Sequence, residues 1–121
     1  MKKATAAVIF KMGKILIARR VKDGKWEFPG GKFEEGETPE QCIVREIKEE
    51  LGLLIRVEKP LCVVRGTFRN QIMELFAFLV TPVSGELTPY IHQDVKWVSR
   101  EELVTYNFLE EDKEIFKYLP H

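Results

Sequence analysis

Short apolar runs, broken by polar pairs and turn residues, set the rhythm of the chain. Ala6 to Phe10 and Ile15 to Ala18 are apolar, and Lys11-Met12-Gly13-Lys14 lies between them. This predicts a β-hairpin with Gly13 in its turn. Asp23-Gly24 marks another turn, and Trp26 to Phe28 reads as a brief extended piece ahead of Pro29-Gly30-Gly31, where helix is disfavoured. A helix follows over Pro39 to Leu51. Thr38 is suited to cap it, Pro39 to its first position and Gln41 to a capping box, and Gly52 supplies the stop. Ile55 to Thr67 and Ile72 to Thr81 are rich in β-branched and aromatic residues and predict two long strands joined near Arg69-Asn70. Pro82 to Pro89 reads as a loop and Val95 to Val98 as a short strand. Ser99-Arg100-Glu101-Glu102 is a second capping box that opens a short helix. Glu110 to Leu119 reads as the last helix, with Ile115, Phe116 and Leu119 facing inward. Strands and helices mix without regular βαβ alternation. The pattern therefore predicts an α/β fold, a mixed sheet flanked by helices, in one domain over residues 1–121.

Composition narrows the partners. The 121 residues carry 19 Lys+Arg against 19 Asp+Glu, for a formal net charge of zero. Such a chain has no large basic face, so no stable nucleic-acid partner is expected, while a small anionic ligand remains open. No stretch reaches the ~20 apolar residues that a membrane helix requires, so no membrane partner is expected. Lys11 and Lys14 interrupt the first apolar run too early for a signal peptide. Cys42 and Cys62 sit among apolar residues and read as two buried, reduced thiols, which makes the cytoplasm the default location. Monomer and homodimer are both compatible with the sequence.

The helix after Thr38 carries the candidate chemistry. At about 100° per residue, Glu46, Glu49 and Glu50 share an arc of about 100°, beside the apolar arc of Ile43, Val44, Ile47 and Leu51. Glu46 and Glu50 form a like-charge i,i+4 pair, and all three lie toward the C-terminal half, where the dipole disfavours anions by roughly 0.3–1 kcal/mol. A hard divalent cation reverses that sign, because Mg²⁺ prefers carboxylate, water and phosphate oxygens. The alternative is a solvated charged face compensated by Arg45 and Lys48. Upstream, Gly30-Gly31 permits close backbone approach, Lys32 follows at once, and Arg19-Arg20 is suited to phosphate oxygens.

Residues 31–53 read Gly31, five residues, Glu37, seven residues, Arg45-Glu46-Ile47, one residue, Glu49-Glu50, one residue, Gly52-Leu53. This resembles the Nudix box at all nine specified positions, and Trp26-Glu27-Phe28-Pro29-Gly30 resembles the lead-in of the MutT-like branch. The resemblance implies a Nudix-type α/β/α sandwich with a mixed sheet, and hydrolysis of a nucleoside diphosphate linked to another group. It implies Mg²⁺ as cofactor, with Mn²⁺ as a substitute, held by Glu46, Glu49, Glu50 and the Gly30 carbonyl. Arg45 would pair with Glu37 and orient the glutamates, and Glu46 is the choice for general base.

The same resemblance implies a nucleoside triphosphate substrate, cleaved to monophosphate and pyrophosphate. Arg20 and Lys32 are the phosphate-facing candidates. Phe28, Phe108 and Tyr106 are candidates for stacking on the base. The branch's base-reading Asn falls on an acidic position, Glu111 or Asp112, and Asp112 is taken as the base contact. One departure stands out. The Glu-His pair of the branch is Ile91-His92 here, so an auxiliary acidic ligand is missing unless Asp94 or Glu86 supplies it. His92 is then either a loop histidine or a group near the phosphates. Alternatives are hydrolysis of ADP-ribose or a dinucleoside polyphosphate, or a catalytically silent nucleotide sensor. The sensor is disfavoured because every box glutamate is present.

Overall fold

β1 (Lys2–Lys11) is apolar on both sides because it lies in the middle of a sheet covered on both faces. A computed structural model describes the chain over Met1–His121. Strand alternation sends Ala4, Ala6 and Val8 into one core and Ala7 and Ile9 into the other. β2 (Lys14–Arg19) returns antiparallel beside β1, with Met12 and Gly13 both left-handed in the predicted turn. β3 (Trp26–Glu27) pairs with the end of β2. β4 (Leu54–Phe68) and β5 (Gln71–Ser84) form a long antiparallel hairpin, and β5 runs parallel to β1. β6 (Asp94–Val98) pairs along β2. One parallel pair among antiparallel ones makes the sheet mixed, as the pattern predicts.

Helix α1 (Pro39–Leu51) has the bounds read from the sequence. Thr38 accepts from the Gln41 amide at 3.1 Å, Gln41 accepts from the Thr38 amide at 3.0 Å, and Gly52 ends the helix left-handed. Ile43, Ile47 and Leu51 are fully buried against Leu16, Phe78 and Val80, each contributing about 1.5–3 kcal/mol relative to exposure. The opposite face of the sheet is covered by the C-terminal segment, through Leu103, Phe108, Ile115 and Leu119.

That segment corrects the sequence reading. The last helix is not continuous over Glu110 to Leu119. α2 spans only Glu110–Lys113, and a 3₁₀ turn covers Phe116–Tyr118. Leu109 offers no capping side chain, and so short a segment does not repay helix nucleation, so i→i+3 bonds such as Ile115 N–H to Asp112 C=O take over. The Ser99 box does form, with reciprocal bonds of 3.0 and 3.3 Å, but it opens a 3₁₀ helix at Glu101–Thr105. Of the loop read over Pro82 to Pro89, the first three residues belong to β5. Cys42 is buried as anticipated, whereas Cys62 is only half-buried.

Candidate active site

The site begins with a chain crossing too tight for side chains. Thr5 and Ala7 of β1 donate to the Gly31 and Pro29 carbonyls at 2.8 and 2.7 Å. The Gly30 carbonyl between them accepts no protein hydrogen bond. A Cβ on Gly30 would stand 2.1 Å from the Thr5 carbonyl oxygen, and one on Gly31 would stand 2.4 Å from a Glu46 carboxylate oxygen. The glycine pair thus lets α1 press its carboxylates against this backbone.

Arg45 organises those carboxylates. Its Nε and Nη2 grip Glu37 in a fork, at 2.6 and 2.9 Å. Its Nη1 donates to Glu46 at 2.9 Å and Glu49 at 3.1 Å, and Nη2 also reaches the Lys32 carbonyl at 3.0 Å. The guanidinium and the Glu34 amide together hold the Glu37 carboxyl down to a pKa of about 2. Glu46 is mostly covered, Glu49 is open to solvent, and Glu50 is buried. Burial, then the neighbouring Glu46 and Glu27 carboxylates, pushes the Glu50 pKa far up.

The third carboxylate sits in a cluster that sequence reading did not assemble. Glu27, Glu50 and His92 bring one ligand atom each to within 4.8 Å of one another. His92 Nε2 lies 2.8 Å from Glu27 Oε2 and 3.8 Å from Glu50 Oε1, which is buried without a hydrogen-bond partner. His92 is buried here rather than a solvent-facing loop residue. Neither Asp94 nor Glu86 belongs to this cluster; its second carboxylate is that of Glu27. The signal for it was the strand alternation at Trp26-Glu27-Phe28, where two buried aromatics leave the acid facing the other way.

A cavity of about 360 Å³ opens beside the glycine pair, with Arg20, Lys32, Phe28 and Asp112 among its walls. Phe108 and Tyr106 are not among them: Phe108 packs into the core against Phe28 and Phe116, and Tyr106 against Trp26. Asp112 is buried and accepts from the Phe28 amide at 2.7 Å, and burial raises its pKa well above the ordinary value for an aspartate. Arg20 faces Asp23 at 3.3 Å and Glu27 at 3.8 Å.

The fit to a hard cation is testable on these atoms. Glu50 Oε1 is buried and unpartnered and the Gly30 carbonyl is free, and both are hard oxygen donors of the kind Mg²⁺ prefers, whereas Glu46 and Glu49 are turned to Arg45 and lie outside the Glu27, Glu50 and His92 group.

Comparison with known proteins agrees with this geometry. The family model described as NUDIX domain matches residues 1–119. The chain is 38% identical over 105 residues to the CTP pyrophosphohydrolase of Escherichia coli (strain K12), covering 84% of this chain and 78% of that protein. It is 39% identical over 89 residues to the 8-oxo-dGTP diphosphatase of Proteus vulgaris, covering 70% of this chain and 80% of that protein. The solution structure of the E. coli ORF135 protein matches with a TM-score of 0.89 and 34% identity, over 98% of this chain and 87% of that one. The crystal structure of a MutT NUDIX hydrolase from Burkholderia pseudomallei matches with a TM-score of 0.90 and 25% identity, over 98% of both chains.

Proposed function

The chain belongs to the NUDIX family of hydrolases acting on phosphoanhydride bonds, and from that premise we propose a Mg²⁺-dependent, MutT-like nucleoside triphosphate pyrophosphohydrolase. Its substrate is a normal or modified (d)NTP, and its products are the nucleoside monophosphate and pyrophosphate. The observation that carries this reading is the Arg45 clamp on Glu37, Glu46 and Glu49, beside buried Glu50 and next to a cavity with cationic walls. Relatives named for CTP and 8-oxo-dGTP support the triphosphate class.

Glu46, Glu49, Glu50 and the Gly30 carbonyl would hold the metal, with Mn²⁺ able to replace Mg²⁺. Bound Mg²⁺ supplies charge neutralisation on phosphate oxygens and a more acidic water. The chain does the rest. Arg45 fixes the carboxylates before substrate arrives, which spares reorganisation during the reaction. Arg20 and Lys32 meet phosphate oxygens at the cavity wall, and Phe28 and Asp112 bound the base end. Glu46 accepts a proton from the attacking water. The free thiols at Cys42 and Cys62 agree with a reducing, cytoplasmic compartment.

The test is pyrophosphate release across normal, oxidised and methylated nucleotides and ADP-ribose, with and without Mg²⁺. Monophosphate and pyrophosphate appearing only with the metal supports the assignment. Turnover of ADP-ribose alone would replace the substrate class, and tight nucleotide binding without release would make the chain a sensor.

A further inference from the structure

The face of β1 that meets α1 is apolar at Ala7 and Ile9 and turns polar at Thr5, where the strand reaches the glycine pair. α1 meets it there with Cys42, one position ahead of buried Ile43. Both side chains are buried. A hydroxyl hidden in a core costs free energy unless it is hydrogen-bonded, so packing alone would favour valine over threonine at this place. The hydroxyl has partners. Thr5 Oγ1 donates to the Gly31 carbonyl at 3.2 Å and stands 3.5 Å from both the Gly31 amide nitrogen and Cys42 Sγ. Cys42 Sγ lies 3.5 Å from the Lys32 carbonyl and 3.6 Å from that of Gly31. Burial pushes the thiol pKa up, so the sulfur keeps its proton as a donor. The Lys32 carbonyl also accepts from Arg45 Nη2 at 3.0 Å, and that nitrogen is 3.9 Å from Cys42 Sγ. Two successive loop carbonyls are thus held by β1 on one side and α1 on the other.

We propose that Thr5 and Cys42 are positioning residues for the reaction, and that together they fix the Gly30–Lys32 backbone against Glu46. This rests on the hydrolytic reading above and deepens it. Arg45 aims the carboxylates, and the Thr5–Cys42 pair holds the backbone they face. The fit there has little slack, since a Cβ on Gly31 would stand 2.4 Å from a Glu46 oxygen. The same three residues present the free Gly30 carbonyl and the Lys32 side chain at the cavity wall. A misplacement of about 1 Å in reacting geometry costs up to about 100-fold in rate. Loss of the hydroxyl or the thiol therefore acts on the chemical step through the loop, while the walls that bind the nucleotide stay in place.

The experiment compares two pairs of variants. Thr5→Val keeps the shape and removes the hydroxyl, whereas Thr5→Ser keeps the hydroxyl. Cys42→Ala removes the donor, whereas Cys42→Ser keeps one. Readouts are kcat and KM by pyrophosphate release, Mg²⁺ affinity by calorimetry, and amide hydrogen exchange of Gly31 and Lys32 in the metal-free protein. Thr5→Val and Cys42→Ala should lower kcat about tenfold and weaken Mg²⁺ binding about three- to tenfold, with KM for the nucleotide within about twofold. Exchange at the two loop amides should quicken about tenfold. Both serine variants should recover most of the lost kcat. Wild-type kcat in Thr5→Val and Cys42→Ala, a change confined to KM, or serine variants as slow as the valine and alanine ones would each overturn the proposal. Should the Cys42 variants misfold, the Thr5 pair decides. A wild type that releases pyrophosphate from no nucleotide defeats the hydrolytic reading, and the Mg²⁺ affinities and loop exchange rates then decide whether the pair holds the loop.

Discussion

Arg45 Nε lies 2.6 Å from Glu37 Oε2, joining the middle of α1 to the loop that precedes its capping residue. The same guanidinium reaches Glu46 and Glu49, so one side chain sets the position of two candidate metal ligands. Removing Arg45 should therefore act through the metal. Arg45→Ala should raise the Mg²⁺ concentration needed for half-maximal rate by about 10–100-fold and lower kcat, with base preference unchanged. Mg²⁺ titrations of activity on two nucleotides check it, and a change in base preference alone would refute the positioning role.

Glu50 is buried, with one oxygen unpartnered. Glu50→Gln keeps its shape but cannot ionise to hold a cation, so turnover should fall by two or more orders of magnitude while circular dichroism and Tm hold or improve. Near-normal rates at saturating Mg²⁺ would falsify its assignment as a ligand.

The two glycines ahead of the box should fail differently. A Cβ at Gly30 meets backbone, 2.1 Å from the Thr5 carbonyl oxygen, so Gly30→Ala should destabilise the fold by several kcal/mol. At Gly31 the same atom meets the end of a flexible side chain, Glu46, at 2.4 Å. Gly31→Ala should leave Tm within a few degrees and cut kcat at least tenfold as Glu46 moves aside. Melting curves and kcat on both variants separate the cases.

Acid stability should carry the mark of Glu37. Its pKa falls from 4.5 to about 2 on folding, because Arg45 and the Glu34 amide hold the charged form. A depressed carboxylate contributes stability that is complete above pH 4.5 and lost as pH falls toward 2. Denaturant melts of wild type and Glu37→Gln should differ most at neutral pH and converge near pH 2; a constant difference across that window would show that ionisation is not the source.

Asp112 has the opposite sign. Burial raises its pKa, so the folded state keeps a proton that the unfolded state releases, and its contribution declines as pH rises above the ordinary carboxylate value. Asp112→Asn, whose amide oxygen can still accept from Phe28, should gain stability over wild type as pH rises from 4 toward 8. Parallel pH–stability curves for the two proteins would count against a buried proton.

The parts legible in the sequence were the local ones. α1 was read to the residue because Thr38, Pro39, Gln41 and Gly52 act within one or two turns of themselves. The Arg45–Glu37 pairing came from the resemblance and spans only eight residues. The last helix failed for a related reason. Apolar spacing at Ile115, Phe116 and Leu119 suits an α-helix, but Leu109 cannot cap one, and packing against the sheet settled the winding.

By itself, the sequence determined the sheet-and-helix alternation, the capped helix and the ladder of Glu46, Glu49 and Glu50, since periodicity and capping are properties of neighbouring residues. Only tertiary structure decided that Glu27 meets His92 across 65 residues, that Asp112 ties down Phe28 across 84, and that Arg69 reaches Glu111. It also decided that Glu50 is buried while Glu49, one position earlier, is exposed. Those outcomes depend on which strands pair and on what packs over the helix edge, and side chains far apart along the chain come together only when the sheet register brings them there.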